Sequence, residues 1–297
     1  MYDIIIVGAG PAGLTSALYA LRANKKVLVL EAKSYGGQII NANLLENYPG
    51  LPNVSGFDFA TNLYNQVKDL GGIIKFETVI RIDSDKTVTT NKDTYQAKAI
   101  ILATGAENRK LNIEREEELV GRGISYCATC DGNFYKNKTV AVIGGGNTAL
   151  EDAVYLSNIA NKVYLIHRRD SFRGEVSYLN ELKNKENVEF ILNSNVTKLI
   201  GVDKLNAIEV TNNDGDKLEL NVDGLFIAVG QAPKNEIFKN IIELDDKGYI
   251  ISNDGVHTNQ EGIYVAGDTR VKDLRQLTTA VSDGAIAATT AIKEMED

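Results

Sequence analysis

Apolar residues in this chain fall into short β-branched runs, set apart by glycine turns and by stretches rich in Ala and Leu. Asp3 to Val7 is one such run; it ends in Gly8-Ala-Gly10-Pro-Ala12-Gly13, and Leu14 to Ala23 reads as a helix. Lys26 to Leu30 is a second apolar strand, closed by Glu31. Strand, glycine turn, helix, strand and acid, in that order, form the pattern of a dinucleotide site. The glycines permit a tight turn and close backbone approach to a pyrophosphate, and the helix amino terminus offers N–H groups and partial positive charge. Glu31 can accept hydrogen bonds from a ribose diol.

Residues 34–60 are loop-rich, with Gly36-Gly37-Gln38 and Asn47-Tyr48-Pro49-Gly50. Phe57 to Leu70 has helical spacing and stops at Gly71-Gly72. From Ile73 to Lys98 β-branched residues alternate around turn residues, which predicts a small antiparallel sheet. Ala99 to Leu102 reads as a further buried strand, closing on Ala103-Thr104-Gly105. Glu114 to Glu118 is a charge run, expected as a solvated face near a domain crossing.

The first pattern then repeats. Thr139 to Ile143 is a strand, Gly144-Gly-Gly146-Asn147-Thr148-Ala149 the turn, Asn147 to Ser157 a helix and Lys162 to Ile166 a strand. Where the first unit has Glu31, the second has His167-Arg168-Arg169, with Arg173 following. An acid suits a free 2′-hydroxyl and an arginine cluster suits a 2′-phosphate, so one unit reads as built for FAD or NAD and the other for NADP. The bland alternative for the arginines is a solvated basic patch. Residues 188–229 read as more strands around an Asn212–Gly215 hairpin turn. Beyond Pro233 the chain would return to the first domain, where Gly262 to Asp268 is a strand ending in an acid and Leu277 to Ile292 a small-residue helix.

Composition narrows the picture. Of 297 residues, 43% are hydrophobic and 24% charged, as in a globular protein with a full core. A net charge of −8 argues against nucleic acid or an anionic membrane as partner. The apolar runs fall far short of the roughly 20 residues of a membrane span. The amino terminus lacks the pattern of a signal peptide, so a cytoplasmic chain is expected. In that reducing setting the only two cysteines, Cys127-Ala-Thr-Cys130 with Asp131 next, carry weight. A zinc site would need about four ligands, and the chain has two cysteines and two histidines, one inside the His-Arg-Arg motif, so no metal is expected. A redox pair between two nucleotide sites points to an electron route from nucleotide to disulfide.

These motifs, from Gly8-x-Gly10-x-x-Gly13 through Cys-Ala-Thr-Cys-Asp and His-Arg-Arg to Ala266-Gly267-Asp268 and Arg275-Gln276, span the chain in one order. The sequence resembles the low-molecular-weight thioredoxin reductases of the flavin disulfide reductase superfamily. The resemblance implies an α/β fold of two Rossmann-like dinucleotide-binding domains, the NADPH domain inserted into the FAD domain. The FAD domain would be residues 1–112 and 234–297, and the NADPH domain, carrying the cysteine pair, residues 113–233. FAD would lie on Gly8, Gly10, Ala12 and Gly13, with Glu31 on its ribose. Gln38, Asn47, Val79, Ala103, Gly105, Asp268, Arg275 and Gln276 would line the rest of its groove. NADPH would use Gly146, Asn147 and Thr148 at the pyrophosphate, with His167, Arg168, Arg169 and Arg173 around the 2′-phosphate. Cys130 would face the flavin, Cys127 would attack the disulfide of thioredoxin, and Asp131 would shuttle the proton; a plain N-cap is the alternative for Asp131. The family is homodimeric and its nucleotide domain rotates, with hinges expected near residues 110–116 and 230–236. A related flavin-dependent reductase or thiol oxidase, with another electron donor or acceptor, is the competing function.

Overall fold

Ile4, Ile5 and Ile6 are all fully buried, which a strand achieves only when both faces of its sheet are covered. In the computed structural model, which describes every residue except Asn43, Glu46, Pro52, Asn253, Asp254 and Asp297, the strand Tyr2–Val7 lies inside a seven-stranded sheet. Three positions of the loop-rich stretch 34–60 thus lie outside the described residues. The sheet runs Ile73–Phe76, Val27–Glu31, Tyr2–Val7, Thr94–Leu102, Thr87–Thr90, Val79–Ile82, and Ile263–Val265 also pairs in parallel with Thr94–Leu102.

One face packs Ile4, Ile6 and Val29 against Leu14, Ala17 and the alanines Ala287, Ala288 and Ala291 of the last helix, Leu277–Glu296. The small residues let that helix approach the first helix, Pro11–Arg22, closely. A Cβ on Gly284 would sit 2.2 Å from the Ala12 carbonyl oxygen, and Ser16 Oγ donates to the Gly284 carbonyl at 3.0 Å. The other face packs Ile5, Val7, Leu28 and Leu30 against Val88, Phe238 and Ile250.

The chain divides into two compact units: residues 1–107 with 232–297, and residues 108–231. The two crossings run side by side as a two-stranded ribbon, Glu107–Asn108 beside Gln231–Ala232. The inserted unit has its own parallel sheet, ordered Val188–Ile191, Lys162–Ile166, Thr139–Gly144, Gly224–Ala228, Ile124–Ser125. A three-stranded antiparallel meander, Ser194–Ile200, Ala207–Asn212 and Lys217–Asn221, covers one face. Helices Asn147–Ser157 and Val176–Lys183 cover the other. The α/β class with one dinucleotide-binding domain inserted into another is as expected from the sequence.

Two local expectations are corrected. Ile73–Phe76 joins the main sheet in parallel, and residues 94–102 form one strand that is antiparallel at its start and parallel at its end. Alternation could not separate these, because only the inner half of that strand is buried on both faces. The acidic run is not wholly solvated either. Glu116 is buried, accepting from the N–H groups of Leu111 at 3.0 Å and Asn112 at 2.8 Å and from Tyr126 Oη at 2.7 Å.

Phe226, 1% exposed, fills the helix side of the inserted unit with its ring edge on Tyr135. Phe226→Ala should cost about 3–5 kcal/mol there. By hydrogen-exchange mass spectrometry, peptides over 139–144 and 162–166 should lose protection while those over 2–7 and 97–102 keep theirs.

Candidate functional site

The first glycine turn mixes two kinds of glycine. Gly8 has φ +110°, and a Cβ there would lie 2.2 Å from the Ala103 carbonyl oxygen; one on Gly13 would lie 1.9 Å from the Gly8 carbonyl oxygen. These two are needed by the protein's own packing. Gly10, at the helix N-cap, is different: the nearest atom to its missing Cβ is Gly37 Cα at 3.9 Å. Its bareness leaves a cradle at the helix amino terminus, where the dipole favours an anion. Glu31 is aimed at the same turn, Oε2 accepting from the Ala9 N–H and Oε1 from the Lys33 N–H, both at 2.8 Å.

Of the other residues marked in the sequence, Gly37 stands beside Gly10, and Gly267, next to Asp268, against Ala12. Asn47 Nδ2 donates to Gln276 Oε1 at 3.0 Å, joining positions far apart in sequence. Gln38 is exposed in the 3₁₀ turn Gly37–Asn41 that follows the Gly36 bend. Ala12 lies in the first turn of the first helix, and Ala103 just past the end of the strand Thr94–Leu102, with Gly105 at φ +67° after it. Val79 turns its side chain into the core with Ile82 and Val88, leaving only main chain for a groove. Asp268 lies just past the strand Ile263–Val265; its Oδ1 is buried and accepts no hydrogen bond within the protein. Burial pushes the Asp268 carboxyl above its usual range, against the pull of the Lys272 and Arg275 cations. An open glycine cradle, an acid held at the strand end and an unsatisfied buried acceptor fit a flavin dinucleotide.

The second turn repeats the division of labour. A Cβ on Gly144 would meet the Ala228 carbonyl oxygen at 2.3 Å, and one on Gly145 would meet the His167 ring at 2.1 Å, whereas Gly146 faces open space. Asn147 and Thr148, both exposed, start the helix above it. Asn147 Oδ1 accepts from the Glu175 N–H at 2.8 Å and the Gly145 carbonyl from the Arg173 N–H at 2.8 Å, so residues 173–175 are clipped over the turn. His167 is buried, stacked on Phe172 at 5.1 Å, and its imidazole is pushed down by burial and then by Arg168, Arg169 and Arg173. The three arginines are exposed, and none forms an ion pair among the described residues. An open cradle edged by unpaired guanidinium groups fits a phosphorylated nucleotide such as NADPH.

Cys127 and Cys130 form a disulfide across the short helix Ala128–Asp131. Ser125, buried at the end of its strand, organises it: Ser125 Oγ accepts from the Cys127 N–H at 3.0 Å and donates to Asp131 Oδ2 at 2.7 Å. No side-chain cap hydrogen bond from Asp131 is seen at the start of the following 3₁₀ turn, Gly132–Tyr135. Ser125 went unmarked in the sequence, as did the knot that half-buried Thr104 forms with buried Thr269 and Asn235 beside Asp268. There Thr104 Oγ1 stands 2.7 Å from Thr269 Oγ1 and 3.0 Å from Asn235 Oδ1. Ser and Thr at strand ends are common, so no signal singled these out.

Two nucleotide cradles and an internal disulfide define the class: a flavin- and pyridine-nucleotide-linked disulfide oxidoreductase. Comparison agrees. Residues 2–284 match the pyridine nucleotide-disulphide oxidoreductase family model. A thioredoxin reductase of Listeria monocytogenes is 43% identical over 100% of this chain and 95% of its own length. The thioredoxin reductase structure from Streptococcus pyogenes is 39% identical, with TM-score 0.92, covering 100% of this chain and 98% of the other. That from Giardia duodenalis is 33% identical, with TM-score 0.93, over 100% and 99% of the two chains. The chain belongs to the pyridine nucleotide-disulphide oxidoreductase family, among its FAD- and NADPH-dependent thioredoxin reductases.

Beside the disulfide, Asp152 is a half-buried carboxyl next to the Ala128 N–H, pushed up to about 7 by burial and by Glu151. A raised carboxyl contributes stability that is full below the ordinary range near 4 and is lost as pH rises through about 7. The stability of the native protein relative to Asp152→Asn should therefore fall between pH 5 and 8, read by denaturant unfolding at each pH. A difference that stays flat would contradict the raised carboxyl.

Proposed function

We propose that this chain is a thioredoxin-disulfide reductase, taking electrons from NADPH and delivering them through FAD and the Cys127–Cys130 disulfide to thioredoxin. The observation that carries the reading is a disulfide braced by Ser125 and Asp131 in the same folded unit as a glycine turn edged by three unpaired arginines. Bound NADPH and FAD supply the hydride and electron-pair chemistry that reduces the disulfide; the rest falls to the chain.

In this reading Gly8, Gly10, Ala12 and Gly13 hold the FAD pyrophosphate against the first helix, and Glu31 its ribose. Gln38, Asn47, the Val79 main chain, Ala103, Gly105, Asp268, Arg275 and Gln276 hold the remainder. Gly146, Asn147 and Thr148 hold the NADPH pyrophosphate, and Arg168, Arg169 and Arg173 grip its 2′-phosphate, with neutral His167 packed behind them. The reduced pair then works by thiol exchange. Cys127 thiolate attacks a disulfide sulfur of thioredoxin, forming a mixed disulfide and releasing one thiolate. Cys130 attacks the Cys127 sulfur, releases the second thiolate and restores the internal disulfide, so two electrons leave the chain. Asp131, fixed in direction by Ser125, gives and takes the proton that keeps the attacking sulfur ionised and the leaving one protonated. The reading includes a cytoplasmic homodimer, supported by the sequence resemblance alone. A different electron donor is the second reading, and the unpaired arginines favour NADPH over it.

Replacing Arg168 and Arg169 with glutamine should raise the KM for NADPH by about tenfold or more, a change worth about 1.4 kcal/mol per decade, while that for NADH moves about twofold at most. Equal losses for both nucleotides would remove the 2′-phosphate assignment.

The cysteines should separate. Cys127→Ser keeps flavin bleaching by NADPH but loses turnover with thioredoxin. Cys130→Ser, offered a thioredoxin that keeps only its attacking cysteine, activated as a thionitrobenzoate mixed disulfide, should form a stable covalent adduct seen by mass. An adduct through Cys130 in the Cys127→Ser protein, and none through Cys127, would reverse the two roles.

A further inference from the structure

The carboxylate of Asp283, buried in the last helix, ties together a whole turn. Its Oδ2 accepts from the Gly267 N–H at 3.0 Å, from Arg270 Nε at 2.9 Å and from Lys272 Nζ at 3.0 Å. Its Oδ1 accepts from Arg270 Nη2 at 2.9 Å. Gly267 has φ +80°, and a Cβ there would press to 2.8 Å on Ala12 Cβ, so the turn is backed directly onto the first helix. Lys272 is a buried cation, its side chain only 6% exposed, and its ammonium also stands 3.7 Å from the Asp268 Oδ1 that lacks a hydrogen bond. Arg275 closes the far side, Nε donating to the Asp268 carbonyl at 3.4 Å and Nη2 to the Arg270 carbonyl at 3.2 Å, with its guanidinium 4.1 Å over the Tyr249 ring.

We propose that Asp283 and Lys272 are positioning residues for FAD: Asp283 fixes the Gly267–Asp268 turn, and Lys272 holds the Asp268 carboxylate charged, as an acceptor for a flavin hydroxyl. This rests on the reading of Asp268 as an FAD residue.

The physics lies in the arrangement of charge. A carboxylate oxygen out of water and without a donor is costly, and the carboxyl escapes that cost by binding a proton. The charged groups facing Asp268 are Lys272 and Arg275, which favour its ionised form, and Asp283, which opposes it. Asp283 is itself held below the usual carboxylate range, against its burial, by Arg270 and Lys272. Lys272 is thus the cation shared by both acids. Without it Asp268 keeps Arg275 but loses its own nearest cation and faces an Asp283 balanced by Arg270 alone, and protonation follows at milder pH. Protonated, it becomes a poor acceptor for the hydroxyl it is meant to bind.

The test is a double-mutant cycle on the full-length protein, stripped of flavin and titrated with FAD by fluorescence quenching at pH 6, 7 and 8. Asp268→Ala should weaken FAD by about tenfold at every pH. Lys272→Met should weaken it by about tenfold at pH 6 and clearly less at pH 8, and Lys272→Arg should restore a near-native profile. In the Asp268→Ala background Lys272→Met should change affinity by less than about twofold, since its route is gone. Should Lys272→Met fail to fold, Lys272→Gln carries the same cycle, keeping a donor for Asp283 and losing only the charge. Native affinity for the Lys272 variant at all three pH values would overturn the proposal, as would an undiminished effect in the Asp268→Ala background. Normal FAD binding by Asp268→Ala alone would instead show that Asp268 is not an FAD residue, and the proposal would fall with it.

Discussion

Each nucleotide turn of this protein is seated on a carbonyl oxygen at the end of a neighbouring strand. Gly8 sits against Ala103 and Gly144 against Ala228, with no room in either place for a side chain. That contact decides where the following helix begins, and so where its free N–H groups point. Only after those glycines are accounted for does the remaining one in each motif, Gly10 or Gly146, stand out as bare toward open space. One sequence pattern thus contains two physical demands, packing and access, carried by different residues.

On this shared frame the two units diverge through a single position. At the end of the second strand, Glu31 is gripped by two backbone N–H groups and stays at the turn. At the equivalent place His167 lies flat on Gly145, uncharged because burial and three nearby guanidinium groups oppose its protonation. A charged ring there would sit buried among like charges. A neutral one lets the arginines stand outward without an acid to quench them.

Much of this was legible from the sequence because period and punctuation report directly on it. Strands buried on both faces read as unbroken apolar runs, and glycine turns mark where they end. What stayed hidden depended on long-range closure. Val79 lies in the core because its strand, at the edge of the main sheet, turns that side chain toward Ile82 and Val88. Glu116 looked like one acid in a solvated run until the chain bent Leu111 and Asn112 back onto it. Asp283 sits in an alanine-rich helix with nothing local to mark it, and its partners come from a turn more than ten residues away. Ser125 likewise acquires its role only when the redox helix folds over it.

The ribbon formed by Glu107–Asn108 and Gln231–Ala232 bears on how such a chain can be assembled at all. Entry to and exit from the inserted unit lie one strand spacing apart, so to the host unit the whole insertion is topologically a hairpin loop. A host that tolerates a loop there tolerates any folded body whose ends are adjacent, and closing a longer loop adds little entropic cost. The redox pair and the second glycine turn can therefore be exchanged as one cassette, gained or lost together, without reopening the sheet that carries the first.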